Sequence, residues 1–262
     1  DRMKILVGDF KVYSFDDLFE NTKKLPWENF LPVDAEFPVQ GKSVKSKLYS
    51  VPDCQAIVKD LFADHEFAGR VRLGGVNSIN WARILAQVVY YFHAALALGA
   101  PAREVDVAVP TGNFGDIFAG YIAQRMGLPI RRLIIATNAN DILDRCVRTG
   151  TYGMEGVMPT LSPSMDIQIS SNFERLLFDL YGRDSAAIQT LMSQLKQQQS
   201  FTLDTAVHTR LQRFFASGCV DDETTLAAIA RLQTETGYIA DPHTAVGLAA
   251  AEACGGVQDG VP

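Results

Sequence analysis

The chain has 262 residues, of which 47% are hydrophobic, 10% aromatic and 21% charged, and its formal net charge is −6. This composition is typical of a folded globular protein and excludes a disordered or collagen-like chain. An acidic chain also lacks the cationic surface that non-specific nucleic-acid binding requires, although a few local donors can still bind a small anion. No stretch approaches the roughly 20 apolar residues that a membrane span needs.

The cysteines and histidines are scattered along the chain and match none of the spacings typical of metal sites. Reduced thiols are therefore expected, and a bound metal is not. Reduced thiols indicate a cytosol-like compartment, so a cytoplasmic location is predicted. The first residues show no signal-peptide pattern.

The first 50 residues contain only short apolar runs, which suggest a strand at Met3–Val7 and a helix at Phe15–Thr22. Further helices are predicted at Asp53–Phe62 and at Asn80–Leu98, the latter ended by Gly99. Apolar side chains in this second helix recur with helical spacing. They are Trp81, Ile84, Leu85, Val88, Val89, Phe92 and Leu96.

The next segment predicts a strand, a turn, a helix and a second strand. Alternating valines mark the first strand at residues 105–109, and Thr111–Gly115 forms the turn. The helix covers Asp116–Met126, and the second strand covers Ile130–Ala136. Strands joined in this way lie parallel. The sequence therefore predicts an α/β fold with a parallel-sheet core and flanking helices.

The remainder is predicted to be helical. The helices are Asp141–Thr149, Asn172–Leu180, Ala186–Lys196, Thr205–Ala216, Glu223–Thr236, and a last one from Asp241 to just before Gly255. Asp204 and Asp222 are interpreted as N-caps, and Gly218 and Gly237 as terminators.

The turn at Thr111–Gly115 is the first candidate site. It follows an apolar strand and precedes a helix, where backbone N–H groups and the helix dipole bind phosphate. It matches neither the dinucleotide-binding glycine pattern nor a P-loop, which disfavours a nucleoside triphosphate. The alternative is a tight turn that binds no ligand.

Two further candidates lie at predicted helix starts. Asn77, Ser78 and Arg83 could together donate to a phosphate or carboxylate, or they could simply cap the helix and face solvent. The hydroxyl of Thr244 could exchange a hydrogen bond with a ring nitrogen of a ligand. Its neighbour His243 could equally be an ordinary surface residue.

Several segments together resemble the threonine synthase family, in that family's own order, from about Cys54 to Ala251. The family comprises pyridoxal-phosphate (PLP) enzymes of the tryptophan-synthase-β type, called fold type II. The matching segments are Asn77–Gln87, Val109–Asp116, Ala136–Asp141, Leu161–Asp166, Ser170–Leu177 and Asp241–Val246.

The resemblance implies roles for the candidate residues. Those implied to hold the PLP phosphate are Gly112, Asn113, Phe114 and Gly115, while Thr244 would contact the pyridine nitrogen. Asn77, Ser78 and Arg83 would hold the phosphate of the substrate, O-phosphohomoserine. The implied reaction is a lyase reaction that converts O-phosphohomoserine and water to threonine and phosphate.

The chain departs from the family at its front. The family's Schiff-base lysine segment and its substrate-carboxylate loop have no clear counterpart; Lys11 is a weak match, and Lys59 is more simply a solvated side chain. The catalytic residues therefore stay unassigned. The expected organisation is an unmatched segment 1–50, part of the smaller domain with its connecting helix at 51–100, and a PLP-phosphate-binding part of the large domain at 101–262.

Three alternatives follow from this departure. The chain could be an incomplete synthase that works with a missing N-terminal half or as a homo-oligomer. It could be a non-catalytic or regulatory protein derived from the enzyme. It could also be a catabolic phospholyase acting on O-phosphohomoserine and releasing 2-oxobutyrate.

Overall fold

The computed structural model describes residues 78–255, together with residues 20, 21 and 24. The chain divides into two compact units, Asp1–Asn80 and Trp81–Pro262, and the description below concerns the second. The predicted strand at Met3–Val7 and helix at Asp53–Phe62 lie outside the described residues. Of the predicted helix at Phe15–Thr22 only residues 20 and 21 are described, and both are helical.

The described part of the second unit contains eight α-helices and five strands. In chain order these are α1 (Trp81–Ala97), β1 (Val105–Pro110), α2 (Gly115–Arg125), β2 (Ile130–Thr137), α3 (Ile142–Thr149), β3 (Thr151–Gly153), α4 (Phe173–Leu180), α5 (Ser185–Gln198), β4 (Ser200–Thr202), α6 (Thr205–Phe214), β5 (Phe215–Cys219), α7 (Asp222–Thr236) and α8 (Pro242–Ala253). A short 3-10 helix covers Pro163–Met165.

A parallel sheet with the order β1-β2-β5 forms the centre of the unit, which confirms the predicted parallel α/β core. Successive side chains of β2 face opposite sides of the sheet. Leu133 and Ile135 belong to one apolar cluster, with α1 to α6, and Ile134 and Ala136 belong to the other, with α8. Burial on both faces explains the continuous apolar run Leu133–Ala136 in β2, which follows two arginines.

The third strand of this sheet was not expected from the sequence. The helix predicted at Thr205–Ala216 ends at Phe214, and Phe215–Cys219 pairs with β2. Gly218 is thus a strand residue and not a helix terminator; a Cβ there would lie 3.2 Å from the Cβ of Ala250 in α8. The cap of α7 is also one residue earlier than predicted, because the side chain of Asp221 accepts from Thr224 N.

The strongest predicted helix is confirmed, but its apolar stripe is only partly buried. The residues of α1 that face the core are Ile84, Val88, Tyr91 and Ala95. Four of the predicted positions are about half exposed or more: Trp81 at 49%, Leu85 at 54%, Val89 at 63% and Leu96 at 59%. The apolar surface of α1 is therefore wider than the strip that packs on α2.

Two negative observations apply to residues 78–255 and the three isolated positions. None of the helices there is long and apolar enough to cross a bilayer. In the same part of the chain, no group of three or more His, Cys, Asp or Glu side chains is arranged to hold a metal ion.

Candidate functional site

The turn between β1 and α2 is held in a strained but well-packed conformation. Phe114 has φ +63°, in the left-handed region that non-glycine residues rarely adopt. Its side chain is 1% exposed, and its ring lies 5.2 Å from that of Phe173 and 5.7 Å from that of Phe215, measured between centroids. Burial of this ring offsets the backbone strain, so the core fixes the path of the turn.

Gly112 is required in this turn because of a close approach. A Cβ at this position would lie 2.8 Å from the carbonyl oxygen of Ser164, which is closer than real Cβ atoms come to other atoms. The carbonyl of Gly112 accepts a hydrogen bond from Ser170 Oγ at 2.7 Å. The 164–170 segment therefore lies directly against the turn and fixes it from one side.

The N-terminus of α2 faces this turn without a side-chain cap. Its N-cap residue, Phe114, has no side-chain oxygen to accept from the first-turn N–H groups. The hydroxyl of Thr111 donates to the Val109 carbonyl at 2.6 Å, so its proton is already used. Uncapped N–H groups and the positive end of the helix dipole favour an anion at this position.

A buried polar network holds the loop that covers the turn. Asn138 and Asn140 follow β2, and they are 1% and 5% exposed. Asn138 Nδ2 donates to Thr160 Oγ1 at 2.7 Å and to Asp166 Oδ1 at 2.8 Å. Asn140 Nδ2 donates to the Met158 carbonyl at 2.8 Å. These bonds tie residues 158–166 to the carboxyl end of β2, beside the turn.

The first turn of α8 carries Thr244 next to a strong N-cap. The side chain of Asp241 accepts from the backbone N–H groups of His243 and Thr244. Thr244 Oγ1 donates to Asp241 Oδ2 at 2.5 Å. These bonds lower the pKa of the Asp241 carboxyl to about 2. Because the ionised carboxylate takes its proton, the Thr244 hydroxyl can act towards a further group only as an acceptor.

The start of α8 lies at the same edge of the sheet as the turn. A Cβ on Gly247 would lie 3.1 Å from Cγ of Pro110, the last residue of β1. Thr244 is three residues before Gly247, so the two share one face of α8. The structure therefore brings Thr244 to the edge of the sheet at which the turn Thr111–Gly115 follows β1.

The residues predicted to bind a substrate phosphate are only partly described. Asn77 lies outside the described residues, and Ser78 is half-buried in a turn before α1. Arg83 is exposed on the first turn of α1. Burial raises the pKa of Asp116, in the first turn of α2. A hydrogen bond with Tyr91 and the positive charge of Arg83 both lower this pKa, but by less. Arg83 therefore lies close to the first turn of α2.

Comparisons with known proteins divide the chain in two. Residues 12–73 match the family model described as THUMP domain. About three quarters of the chain matches threonine synthases: it is 54% identical over 202 residues to that of Pseudomonas aeruginosa, covering 77% of this chain and 43% of the relative. The match to the Saccharomyces cerevisiae enzyme is 46% over 216 residues, covering 76% and 42%. The chain thus spans about two fifths of the length of these relatives.

Solved structures agree with the sequence matches. A PLP-bound threonine synthase from Brucella melitensis superposes with a TM-score of 0.75 at 56% identity, covering 77% of this chain and 44% of that one. The yeast enzyme superposes with a TM-score of 0.71 at 44% identity, covering 79% and 43%. The described unit therefore has the parallel α/β fold of the fold type II PLP enzymes. Within that class, the matched three quarters of the chain is homologous to the threonine synthases, as the sequence motifs predicted.

Proposed function

We propose that the described unit is the PLP-phosphate-binding part of a threonine synthase-type lyase. The observation that carries this proposal is the uncapped N-terminus of α2 beneath a turn that only glycine fits at position 112. Homology to threonine synthases supports the same conclusion. The conversion of O-phosphohomoserine and water to threonine and phosphate is the proposed activity of the whole enzyme, which needs groups outside the described residues.

The residues present fit PLP. The backbone N–H groups of Gly112, Asn113, Phe114 and Gly115, with the dipole of α2, supply donors for a dianionic phosphate. When bound, PLP acts as an electron sink for carbanionic character next to a substrate amino group. The side chain of Thr244, fixed by Asp241, presents an acceptor. Thr244 held in this way would contact the pyridine nitrogen of PLP.

The remaining proposed roles concern position and charge. Arg83 supplies an exposed cation near the first turn of α2, and it would bind the substrate phosphate with Asn77 and Ser78. The loop at residues 158–166 closes one side of the turn, where Ser164 and Met165 lie against Gly112. We assign no proton-transfer residue, because the family's lysine segment has no clear counterpart in this sequence.

The proposal is tested by titrating the full chain with PLP and competing with inorganic phosphate. The variant Gly112→Ala should weaken PLP binding roughly tenfold, since overpacking against a fixed carbonyl costs about 1–3 kcal/mol. The matched control is Gly153→Ala, whose added Cβ would lie 3.4 Å from Ser200 Cβ in ordinary contact. It should bind PLP as the parent does, and thermal melting of both variants checks that each is folded.

Absence of PLP binding by the parent chain would refute the proposal, and so would binding that phosphate does not displace and Gly112→Ala does not weaken. The reaction is tested separately by co-expression with a threonine synthase segment that carries the lysine. Formation of threonine from O-phosphohomoserine supports the synthase, whereas 2-oxobutyrate indicates the phospholyase. A chain that folds but binds no PLP supports the non-catalytic alternative.

A further inference from the structure

His243 connects two parts of the site that lie 79 residues apart in sequence. On one side of its ring, Nε2 accepts a hydrogen bond from the backbone N–H of Ser164 at 3.3 Å. On the other side, Nδ1 lies 3.1 Å from Asp241 Oδ1. The side chain is 30% exposed, so it sits at the surface of this contact without being free in solvent.

These contacts define the protonation of the ring. A backbone N–H is always a donor, so Nε2 must carry a lone pair. The neutral ring then has its proton on Nδ1, which donates to the ionised Asp241. The same carboxylate accepts the hydroxyl proton of Thr244 through its other oxygen. His243 and Thr244 are therefore oriented by one acceptor.

The contact with Ser164 matters because of what Ser164 touches. Its carbonyl oxygen is the atom that would lie 2.8 Å from a Cβ on Gly112. Next to Ser164, the loop is held by Ser162 Oγ and Asp166, which both accept from Asn138. The N–H of Ser164 itself donates to His243, so this side chain links α8 to the loop that lies against the turn.

We propose that His243 is a positioning residue, which holds the Ser164 carbonyl against Gly112 and so couples the phosphate turn to Thr244. The proposal rests on the function proposed above, and it adds a residue that acts through its neighbours and not by touching PLP. It predicts that loss of the Nε2 acceptor loosens the turn even though residue 243 is in another element.

Two variants at position 243 differ in whether the side chain is long enough to accept a hydrogen bond from Ser164. In His243→Asn the amide can still donate to Asp241 but is too short to meet Ser164, whereas His243→Gln extends an acceptor to about the position of Nε2. Amide hydrogen exchange of the full chain without PLP is measured over residues 162–166 and at Phe118 and Asn172, whose N–H groups donate to the Phe114 and Asn113 carbonyls of the turn. PLP affinity is then measured on the same samples.

We expect His243→Asn to raise exchange at these positions about fivefold and to weaken PLP binding by a similar factor, because one hydrogen bond contributes about 1 kcal/mol. His243→Gln should restore both to within about twofold. Unchanged exchange at Phe118 and Asn172 in His243→Asn, or a glutamine variant as defective as the asparagine variant, would overturn the inference. Failure of the parent chain to bind PLP refutes the proposed function, while the exchange pattern still decides whether His243 holds the turn.

Discussion

Gly120 lies where α2 crosses α1 and β2, and its replacement by alanine sets two known effects against each other. Alanine in a helix interior is favoured over glycine by about 1 kcal/mol. The added Cβ would, however, lie 2.6 Å from Cε1 and 2.9 Å from Cζ of Tyr91 and 2.9 Å from Cδ2 of Leu133. The ring of Tyr91 cannot easily move away, because it is 8% exposed and its hydroxyl donates to the Asp116 carbonyl at 2.9 Å.

We expect the steric effect to win. Overpacking of this kind costs typically about 1–3 kcal/mol, which the gain in helix propensity only partly offsets. Gly120→Ala should therefore lower the free energy of unfolding by about 1–2 kcal/mol. In a Tyr91→Leu background two of the three close atoms are gone and Leu133 Cδ2 remains, so the same substitution should cost less than in the parent.

The measurement is guanidinium unfolding followed by the fluorescence of Trp81, with Trp27, the other of the two tryptophans, replaced by phenylalanine. Trp81 is a suitable reporter because its ring lies 6.2 Å from that of Phe118 in α2. A stabilising effect of Gly120→Ala in the parent would refute this reasoning. So would an equal effect in both backgrounds, which would mean that Tyr91 is not the obstacle.

Three other predictions test separate features. Tyr152→Phe should lower the free energy of unfolding by about 1–3 kcal/mol, because the hydroxyl accepts a hydrogen bond from the buried N–H of Ser170 at 2.9 Å. Tyr181→Phe should cost less, because its hydroxyl accepts from Asp204 N at an exposed position. Equal unfolding midpoints for the two variants would contradict this prediction. Burial raises the pKa of Cys146 to about 12, so iodoacetamide at pH 8 should modify it only in denaturant, and labelling of the native chain would show the reverse. The pKa of Asp241 is lowered to about 2, so the carboxylate stabilises the fold fully above its ordinary pKa and loses this effect as the pH falls towards 2. The unfolding midpoint of Asp241→Ser should therefore fall less on acidification than that of the parent. An equal fall would contradict this prediction.

Features encoded locally were predictable from the sequence. The strand, turn and helix from Val105 to Arg125 carry their own alternation, glycines and helical spacing, and the structure confirms them. The start of α8 was equally clear, because Asp241 and Pro242 form a standard N-terminal pair. In each case the determining residues are neighbours along the chain.

Features that depend on distant partners were missed. The strand Phe215–Cys219 has one large apolar residue and a glycine, and it is a strand only because β2 offers it hydrogen bonds. The loop around Asn138 is fixed by residues 22 to 28 positions away, and His243 is fixed by Ser164. No local pattern records such pairs, so sequence reasoning identified the turn but not the loop that closes it.

The left-handed Phe114 constrains what evolution can change at the turn. Its backbone favours glycine or asparagine, whereas its buried ring favours a large aromatic side chain. Glycine or asparagine at position 114 relieves the backbone strain but leaves an empty space between Phe173 and Phe215. An aromatic residue fills that space but keeps the strained backbone. A saturation screen should find position 114 nearly closed to substitution, while the exposed Asn113 beside it tolerates far more side chains when selection is on folding alone.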